Sequence, residues 1–144
     1  MKIYLEWDEI KFLVENLSRE IINYSPDCII AVAMGGWAPA RLLKNHYKCE
    51  YYSIGCTYYE NNQKTDQVKI IQDLSNVDIK GKRVLILDEV ADSGDTLHRV
   101  YEYVKSLGPQ ELKTAVLHTK SCSGFTPDFT AENVGNEWLV YPWE

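Results

Sequence analysis

The middle of the chain carries four acidic side chains within eight positions, at Asp88, Glu89, Asp92 and Asp95. Small residues separate them, and the segment 88–96 has the sequence DEVADSGDT. Carboxylates suit the hydroxyls of a sugar, a magnesium ion or a developing positive charge. Small residues let a phosphate approach backbone N–H groups closely. Together these features indicate a sugar phosphate whose reacting centre becomes cationic.

This acidic segment lies between a predicted strand and a predicted helix. The apolar run 84–87 predicts a strand buried on both faces, with Asp88 and Glu89 directly after its end. Helical spacing follows at Leu97, Val100, Tyr101, Val104 and Leu107. The N-terminus of a helix offers unpaired N–H groups and a positive dipole to an anion. The alternative is an ordinary strand-loop-helix connection in which an Asp or Ser caps the helix.

A second unit of the same kind comes earlier in the chain. A helix is predicted over 8–24 with Asp8 as its cap, and Cys28–Ala33 predicts a second buried strand. Gly35 and Gly36 then precede a helix that Pro39 opens. Two such units predict an α/β fold, a parallel sheet flanked by helices with ligands at the carboxyl ends of the strands. The glycine pair has the alternative interpretation of a tight turn with positive φ.

Four further strands complete the predicted elements. They are expected over 50–58, 68–71 and 112–118, with an aromatic edge strand within 136–144. The polar stretch 60–67 is a solvated connection on composition alone.

Composition bounds the function. The 144 residues suffice for one domain with a sizeable core, and 45% hydrophobic with 25% charged residues is typical of a soluble globular protein. The net charge of −6 argues against nucleic acid or an anionic membrane as the main partner. The four cysteines lack Cys-x-x-Cys spacing, which argues against a zinc or redox site. Neither a transmembrane segment nor a signal-peptide core is recognisable, so we expect a cytoplasmic protein.

The central segment resembles a known signature. Leu87-Asp88-Glu89-Val90-Ala91-Asp92-Ser93-Gly94-Asp95-Thr96-Leu97 is similar to the phosphoribosyl-pyrophosphate (PRPP) motif of type I phosphoribosyltransferases. That motif has four apolar residues, two acids, two apolar residues, Asp, Thr or Ser, Gly, any residue and Thr. The resemblance implies the type I phosphoribosyltransferase fold as a single domain over 1–144, with PRPP as a substrate and Mg²⁺ as the cofactor.

The resemblance also implies roles within the motif. Asp88 and Glu89 hold the ribose hydroxyls, directly or through magnesium, and Val90 and Ala91 complete this part of the PRPP site. Asp92 is the catalytic residue, because it faces the purine N7 and takes or shares its proton. The segment 93–96 cradles the 5′-phosphate with N–H groups and hydroxyls. We expect the Asp95 carboxylate to point to solvent, since phosphate would repel it.

A pyrophosphate site is implied at the glycine pair. In the family the matching loop holds pyrophosphate through backbone N–H groups, which assigns Met34, Gly35 and Gly36 to it. The subgroup concerned usually has Arg where this chain has Met34, so one cation for pyrophosphate is missing. The polar stretch corresponds to a mobile loop that closes over the reacting centre and excludes water, with Lys64 on pyrophosphate.

The purine site is implied by the end of the chain. Residues 138–144, WLVYPWE, resemble the tail of bacterial xanthine-guanine phosphoribosyltransferases and archaeal relatives. Trp138 would stack on the purine, Leu139 would belong to the same site, and Lys120 would donate to the exocyclic oxygen. This region, about 120–144, is the expected C-terminal hood. The alternatives are a surface lysine and an aromatic edge strand that covers the core.

These observations favour a purine-salvage enzyme that makes nucleoside monophosphates from guanine, xanthine or hypoxanthine. A phosphoribosyltransferase for another base is disfavoured by Lys120 and Trp138, because adenine has an amine where Lys120 would donate. A PRPP-binding regulator is kept open by Met34, although the chain lacks the basic face of a DNA-binding protein. We expect a homodimer or homotetramer. Four tyrosines near the proposed loop are candidates for its interface: Tyr47, Tyr51, Tyr52 and Tyr59.

Overall fold

The computed structural model describes residues 1–60 and 63–144, with the side chains of all of these except 59, 60 and 64–66. In chain order its elements are β1 Lys2–Tyr4, α1 Trp7–Tyr24, β2 Cys28–Ala33, α2 Trp37–Leu43, β3 Glu50–Glu60, β4 Gln63–Gln72, β5 Arg83–Ala91, α3 Asp95–Ser106, β6 Glu111–Lys120, β7 Phe129–Val134 and β8 Trp138–Val140.

A six-stranded sheet in the order β4-β3-β2-β5-β6-β7 forms the centre. Its neighbouring strands are parallel except at the edge, where β3 and β4 form an antiparallel pair. Leu85 and Leu87 of β5 pack in the cluster that contains α1, while Val84 and Ile86 pack in the cluster that contains α3. Both faces of β5 are therefore buried, which explains its unbroken apolar run. The predicted mostly parallel sheet flanked by helices is confirmed.

The strand bounds differ from prediction in a way that matters for the site. β5 continues to Ala91, because Val90 and Ala91 still pair with His118 and Thr119 of β6. The prediction that Asp88 and Glu89 follow the strand is therefore wrong, since both belong to the last four residues of β5. Both residues nevertheless lie near the carboxyl end of the strand and line the same cleft.

Helix α1 begins one residue earlier than predicted and with a different cap. Glu6 is the N-cap residue, and a reciprocal capping box joins it to Glu9. Asp8 lies inside the first turn, where its charge suits the helix dipole. The prediction of Asp8 as the cap is therefore wrong.

Two short strands, β1 and β7, were not predicted. β1 pairs with β8 in a separate two-stranded parallel sheet, in which Lys2 stands opposite Trp138 and Tyr4 opposite Val140. β7 pairs with β6 in the large sheet. The region predicted as a hood thus divides between the two sheets, and β1 holds the segment that carries Trp138.

Two of the tyrosines proposed for a subunit interface make hydrogen bonds within the chain. Tyr47 donates to the Pro26 carbonyl at 2.7 Å, and Tyr51 donates to the Tyr47 carbonyl at 2.8 Å. The Tyr59 side chain lies outside the described residues. Among the described residues, none of the helices combines the length and apolar character that crossing a lipid bilayer requires.

Candidate active site

The site lies where the carboxyl ends of β2, β5 and β6 meet, as expected for a parallel sheet. Asp88 is buried, with 6% of its surface exposed, and its Oδ1 accepts the Glu89 backbone N–H at 2.8 Å. Burial raises the pKa of Asp88 well above its usual range, and the Glu89 carboxylate raises it further. Burial also raises the pKa of Glu89. An acid pair held this way favours a cation or hydroxyl donors beside it.

A cleft of about 440 Å³ opens in front of this pair. It is lined by Tyr58 and by every residue from Asp88 to Leu97. Gly94 has φ of +91° and is the N-cap of α3, with no side-chain cap. A Cβ on Gly94 would lie 2.7 Å from the Phe125 backbone N. Both the positive φ and the lack of space for a side chain therefore require glycine at this position. The alternative in which an Asp or Ser caps this helix therefore does not hold.

The side chains of this cleft are arranged around the start of α3. The Ser93 Oγ accepts the Asp95 backbone N–H at 3.2 Å, and Asp95 is exposed. Burial raises the pKa of Tyr58, and a hydrogen bond with Asp95 raises it further. N–H groups and hydroxyls thus converge at a helix N-terminus, which is a suitable setting for a phosphate.

The Gly35–Gly36 loop packs directly against the acid pair. A Cβ on Gly35 would overlap the Glu89 carboxylate, and a Cβ on Gly36 would lie 2.7 Å from the carbonyl oxygens of Val32 and Leu87. Residues 34–36 form a turn, but neither glycine has positive φ, so the alternative interpretation of a turn that needs positive φ does not explain them. Both are required by close approach of neighbouring groups.

Met34 lies at the rim of this loop. Its side chain is 73% exposed, and the Ala33–Met34 peptide bond is cis. A cavity of about 450 Å³ adjoins Met34, Trp37, Glu89 and Trp143. The loop therefore faces Glu89 on one side and aromatic side chains on the other. The Lys64 side chain, predicted to meet pyrophosphate, lies outside the described residues.

A third cavity, of about 300 Å³, adjoins the acid pair on the side of β6. Its lining is Glu89, Val90, Asp92, Lys120, Trp138, Leu139, Tyr141 and Glu144. Lys120 Nζ donates to Asp92 Oδ2 at 3.0 Å, with 12% and 63% of the two side chains exposed. Trp138 is 65% exposed, and Lys2 Nζ lies 5.7 Å from its ring centroid. An accessible aromatic face and a largely buried lysine thus share one cavity.

The structure brings most of the predicted residues together. Glu89, Val90 and Asp92 line both the cleft of the acidic segment and the cavity that contains Lys120 and Trp138. Sequence reasoning missed Tyr141 and Glu144, which follow Trp138 at three and six positions; their place in the Pro-Trp tail was the available signal.

Cys122 was also missed, and its Sγ lies 3.6 Å from the Asp92 carbonyl oxygen. No sequence pattern indicated this contact, because the turn after β6 brings the two residues together from 30 positions apart.

The acid pair is the candidate metal centre. Within the described part of the chain, no group of three or more His, Cys, Asp or Glu side chains could hold a metal ion. Magnesium is commonly held by one or two carboxylates together with substrate phosphates and water. The pair of Asp88 and Glu89 fits that mode and does not form a closed site of protein ligands alone.

Comparison with known proteins agrees with this geometry. A family model described as phosphoribosyl transferase domain matches residues 2–143. The hypoxanthine-guanine phosphoribosyltransferase of Saccharomyces cerevisiae is 29% identical over 189 residues, covering 99% of this chain and 86% of that protein. A purine phosphoribosyltransferase structure from Pyrococcus horikoshii has 34% identity and a TM-score of 0.90, covering 99% of this chain and 94% of that one.

A structure of a hypothetical protein from Neisseria gonorrhoeae with bound ppGpp has 30% identity and a TM-score of 0.89, covering 100% of this chain and 89% of that one. The family match extends over almost the whole chain, and it includes the acid pair, the glycine loop and the tail. The chain therefore belongs to the phosphoribosyltransferase family.

Proposed function

We propose that this protein transfers the 5-phosphoribosyl group from PRPP to a 6-oxopurine, giving the nucleoside 5′-monophosphate and pyrophosphate. One observation carries the proposal: Asp92 lies between the cleft of the acidic segment and the cavity of Lys120 and Trp138, and it lines both. A sugar phosphate in the first and a purine in the second would meet at Asp92. The names of the relatives support the same reaction.

The donor half of the site is the cleft in front of α3. The 5′-phosphate is held by the N–H groups and hydroxyls of 93–96, and the ribose hydroxyls by Asp88 and Glu89. Pyrophosphate lies at the Gly35–Gly36 loop, which packs against Glu89. In this proposal the positive end of α3 lies at one end of PRPP and the acid pair at its middle.

Magnesium fits the acid pair. Asp88 and Glu89 would hold it, and its charge would offset the burial and the Glu89 repulsion that raise the pKa of Asp88. When bound, it would offset the negative charge that develops on the leaving pyrophosphate.

The acceptor half is the cavity beside β6. The purine stacks on the accessible Trp138 ring, and Lys120 donates to its exocyclic oxygen. Leu139 also lines this cavity, with 7% of its surface exposed. An oxygen accepts from Lys120 and an amine does not, which favours a 6-oxopurine over adenine.

In the reaction, a ring nitrogen of the purine forms a bond to C1 of the ribose while the bond from C1 to pyrophosphate breaks. Pyrophosphate leaves with the bonding electrons, and the ribose ring carries positive charge in the transition state. The carboxylate of Asp92, which is 63% exposed beside Lys120, takes or shares the proton of the purine N7. Asp88 and Glu89 lie where their charge stabilises the cationic ribose.

The test is pyrophosphate release with PRPP and magnesium, offering guanine, xanthine, hypoxanthine and adenine in turn. Turnover with at least one 6-oxopurine and not with adenine is expected. Turnover with adenine alone would overturn the roles of Lys120 and Trp138. Tight PRPP binding without turnover on any base would overturn the proposed reaction and identify the chain as a PRPP-binding regulator.

The assembly is a separate proposal. We retain a homodimer or homotetramer and a cytoplasmic location as predictions, supported by the sequence features given above. Sedimentation velocity measures the first directly, and a single monomeric species at micromolar concentration would contradict it.

A further inference from the structure

The hydroxyl of Tyr141 joins three separate parts of the fold. It lies 2.9 Å from His118 Nδ1 on β6 and donates to the Glu89 carbonyl oxygen on β5 at 3.3 Å. Tyr141 itself belongs to the tail, one residue after β8. Both ring side chains are buried, with 4% of Tyr141 and 1% of His118 exposed. This junction takes no part in the chemistry described above.

The Tyr141 hydroxyl can form both hydrogen bonds at once. A phenol oxygen donates one hydrogen and can also accept, and the Glu89 carbonyl can only accept. This single hydroxyl therefore links the His118 ring to the main chain of β5. On its other side, His118 Nε2 faces Glu132 Oε2 at 3.4 Å, which fixes the orientation of the imidazole ring.

The rest of Tyr141 is held independently of its hydroxyl. Its ring stacks on Trp143 with centroids 4.7 Å apart and planes 15° apart. Its backbone N–H donates to Glu144 Oε2 at 2.8 Å. Loss of the hydroxyl alone would therefore leave the tail folded while removing its bond to the end of β5.

We propose that Tyr141 is a positioning residue for the purine, acting through the Tyr141–Glu89 and Tyr141–His118 hydrogen bonds. Tyr141 lines the cavity that contains Trp138 and Leu139, and it is three residues from Trp138 along the tail. Its hydroxyl fixes the tail to the main chain of Glu89, the residue that also borders the donor cleft. The bond therefore sets the spacing between the stacking ring and the acid pair. This inference rests on the proposed function for its effect on the base.

The test compares Tyr141→Phe with Tyr24→Phe. Tyr24 is a matched control, because it is equally buried at 4% exposure and donates to the Val84 carbonyl at 2.9 Å, at the opposite end of β5. Tyr24→Phe loses one buried hydrogen bond and Tyr141→Phe loses two, so Tm should fall in both variants, and further in Tyr141→Phe. We expect only Tyr141→Phe to raise KM for the purine, by about fivefold to tenfold, with KM for PRPP changed less than about twofold. An equal effect of the two variants on purine KM would overturn the proposal.

A pair of substitutions at His118 separates positioning from packing. The side-chain amide of His118→Asn, which can donate or accept, can take the place of Nδ1, whereas the longer His118→Gln places its amide nearer to Nε2. We expect the Asn variant to keep purine KM close to that of the native protein and the Gln variant to raise it as Tyr141→Phe does. Equal purine KM in the two variants would contradict a role for the hydrogen bond at Nδ1.

Hydrogen exchange distinguishes this inference from the proposed function. We expect amides of 137–144 to exchange faster in Tyr141→Phe than in Tyr24→Phe, whether or not any purine is turned over. Faster exchange in a protein without purine activity would uphold the junction and reject the proposed reaction. Unchanged exchange in the tail would overturn the junction even in an active enzyme.

Discussion

Single residues at this site lower the stability of the fold in return for a role in binding or catalysis, and Asp88 is the clearest example. A carboxyl group buried beside another one is costly when ionised, and its pKa is raised for that reason. Nothing about its packing in the core needs the charge. The charge is useful only when a cation or a sugar hydroxyl lies beside it.

Replacing Asp88 with Asn should therefore stabilise the free protein. Below the unfolded-state pKa, about 3.9, the native carboxyl is neutral in both states and costs nothing. As pH rises above that value, the unfolded chain ionises and the folded one resists, so the native protein loses stability. We expect the Tm of Asp88→Asn to exceed that of the native protein by about 3–6 °C at pH 7, with a smaller difference near pH 4. The Asn oxygen still accepts the Glu89 N–H.

Thermal melts without metal between pH 4 and pH 8 measure this difference. The exposed Glu20→Gln on α1 is the control, and its Tm should follow the native protein across that range. Equal or lower stability of Asp88→Asn at pH 7 would contradict the burial cost.

Replacing Asp92 with Asn should lower the catalytic rate without unfolding the protein. Asn retains an oxygen for Lys120 Nζ, and the pair is half exposed, so little stability is lost. A proton-accepting carboxylate contributes about 10²–10⁴ to a rate, and we expect kcat to fall by that amount with KM for PRPP nearly unchanged. Steady-state kinetics measures both constants, with Asp78→Asn, in the turn before β5, as the control. An unchanged kcat would refute the catalytic role of Asp92.

At the scale of elements, three parallel strands end together and bring their loops into contact. The β2–α2 loop touches the end of β5 through two glycines that have different neighbours. Gly35 faces the end of the Glu89 side chain, which can move. Gly36 faces the carbonyl oxygens of two buried strands, which cannot move without disturbing the sheet.

Alanine at these two positions should consequently give opposite results. We expect Gly35→Ala to fold with a Tm within a few degrees of the native protein, while the displaced Glu89 carboxylate lowers kcat/KM for PRPP by about tenfold or more. Gly36→Ala should lose Tm strongly, by about 10 °C, because backbone must shift. Circular dichroism melts and kinetics on both proteins test the contrast. Full activity in Gly35→Ala would show that catalysis does not require the Glu89 carboxylate in its native position.

At the scale of the whole molecule, ligand binding should appear as global stability. A ligand at about one hundred times its Kd stabilises a protein by roughly 2.7 kcal/mol, or about 5–10 °C in a chain of this size. We expect PRPP with magnesium to raise Tm by this amount, and EDTA to remove most of the rise. Asp88→Asn should show little rise under either condition. A shift that EDTA leaves unchanged would contradict magnesium at the acid pair.

The sequence by itself determined the centre of the fold. The runs 84–87 and Cys28–Ala33 contain no charged or amide side chains, as is typical of strands covered on both faces. The helical spacing of apolar residues from Leu97 onward indicated a helix that packs on one of those faces. The acidic segment and its proposed phosphate site also followed from residue types, because those features depend on neighbours close along the chain. β1 and β7 escaped prediction because they are short and gain their hydrogen bonds from distant partners.

Only the tertiary structure decided how the parts of the site meet. Residue types do not show that β5 pairs with β6 as far as Ala91. Because of this pairing, Asp88 is buried and Asp92 lies beside Lys120. Nor do they show that glycine is needed at position 35 to leave room for the Glu89 carboxylate, or that Tyr141 joins the tail to β5. Each of these contacts links residues far apart in sequence. Their geometry depends on strand register and packing, whereas the residue types depend only on local chemistry.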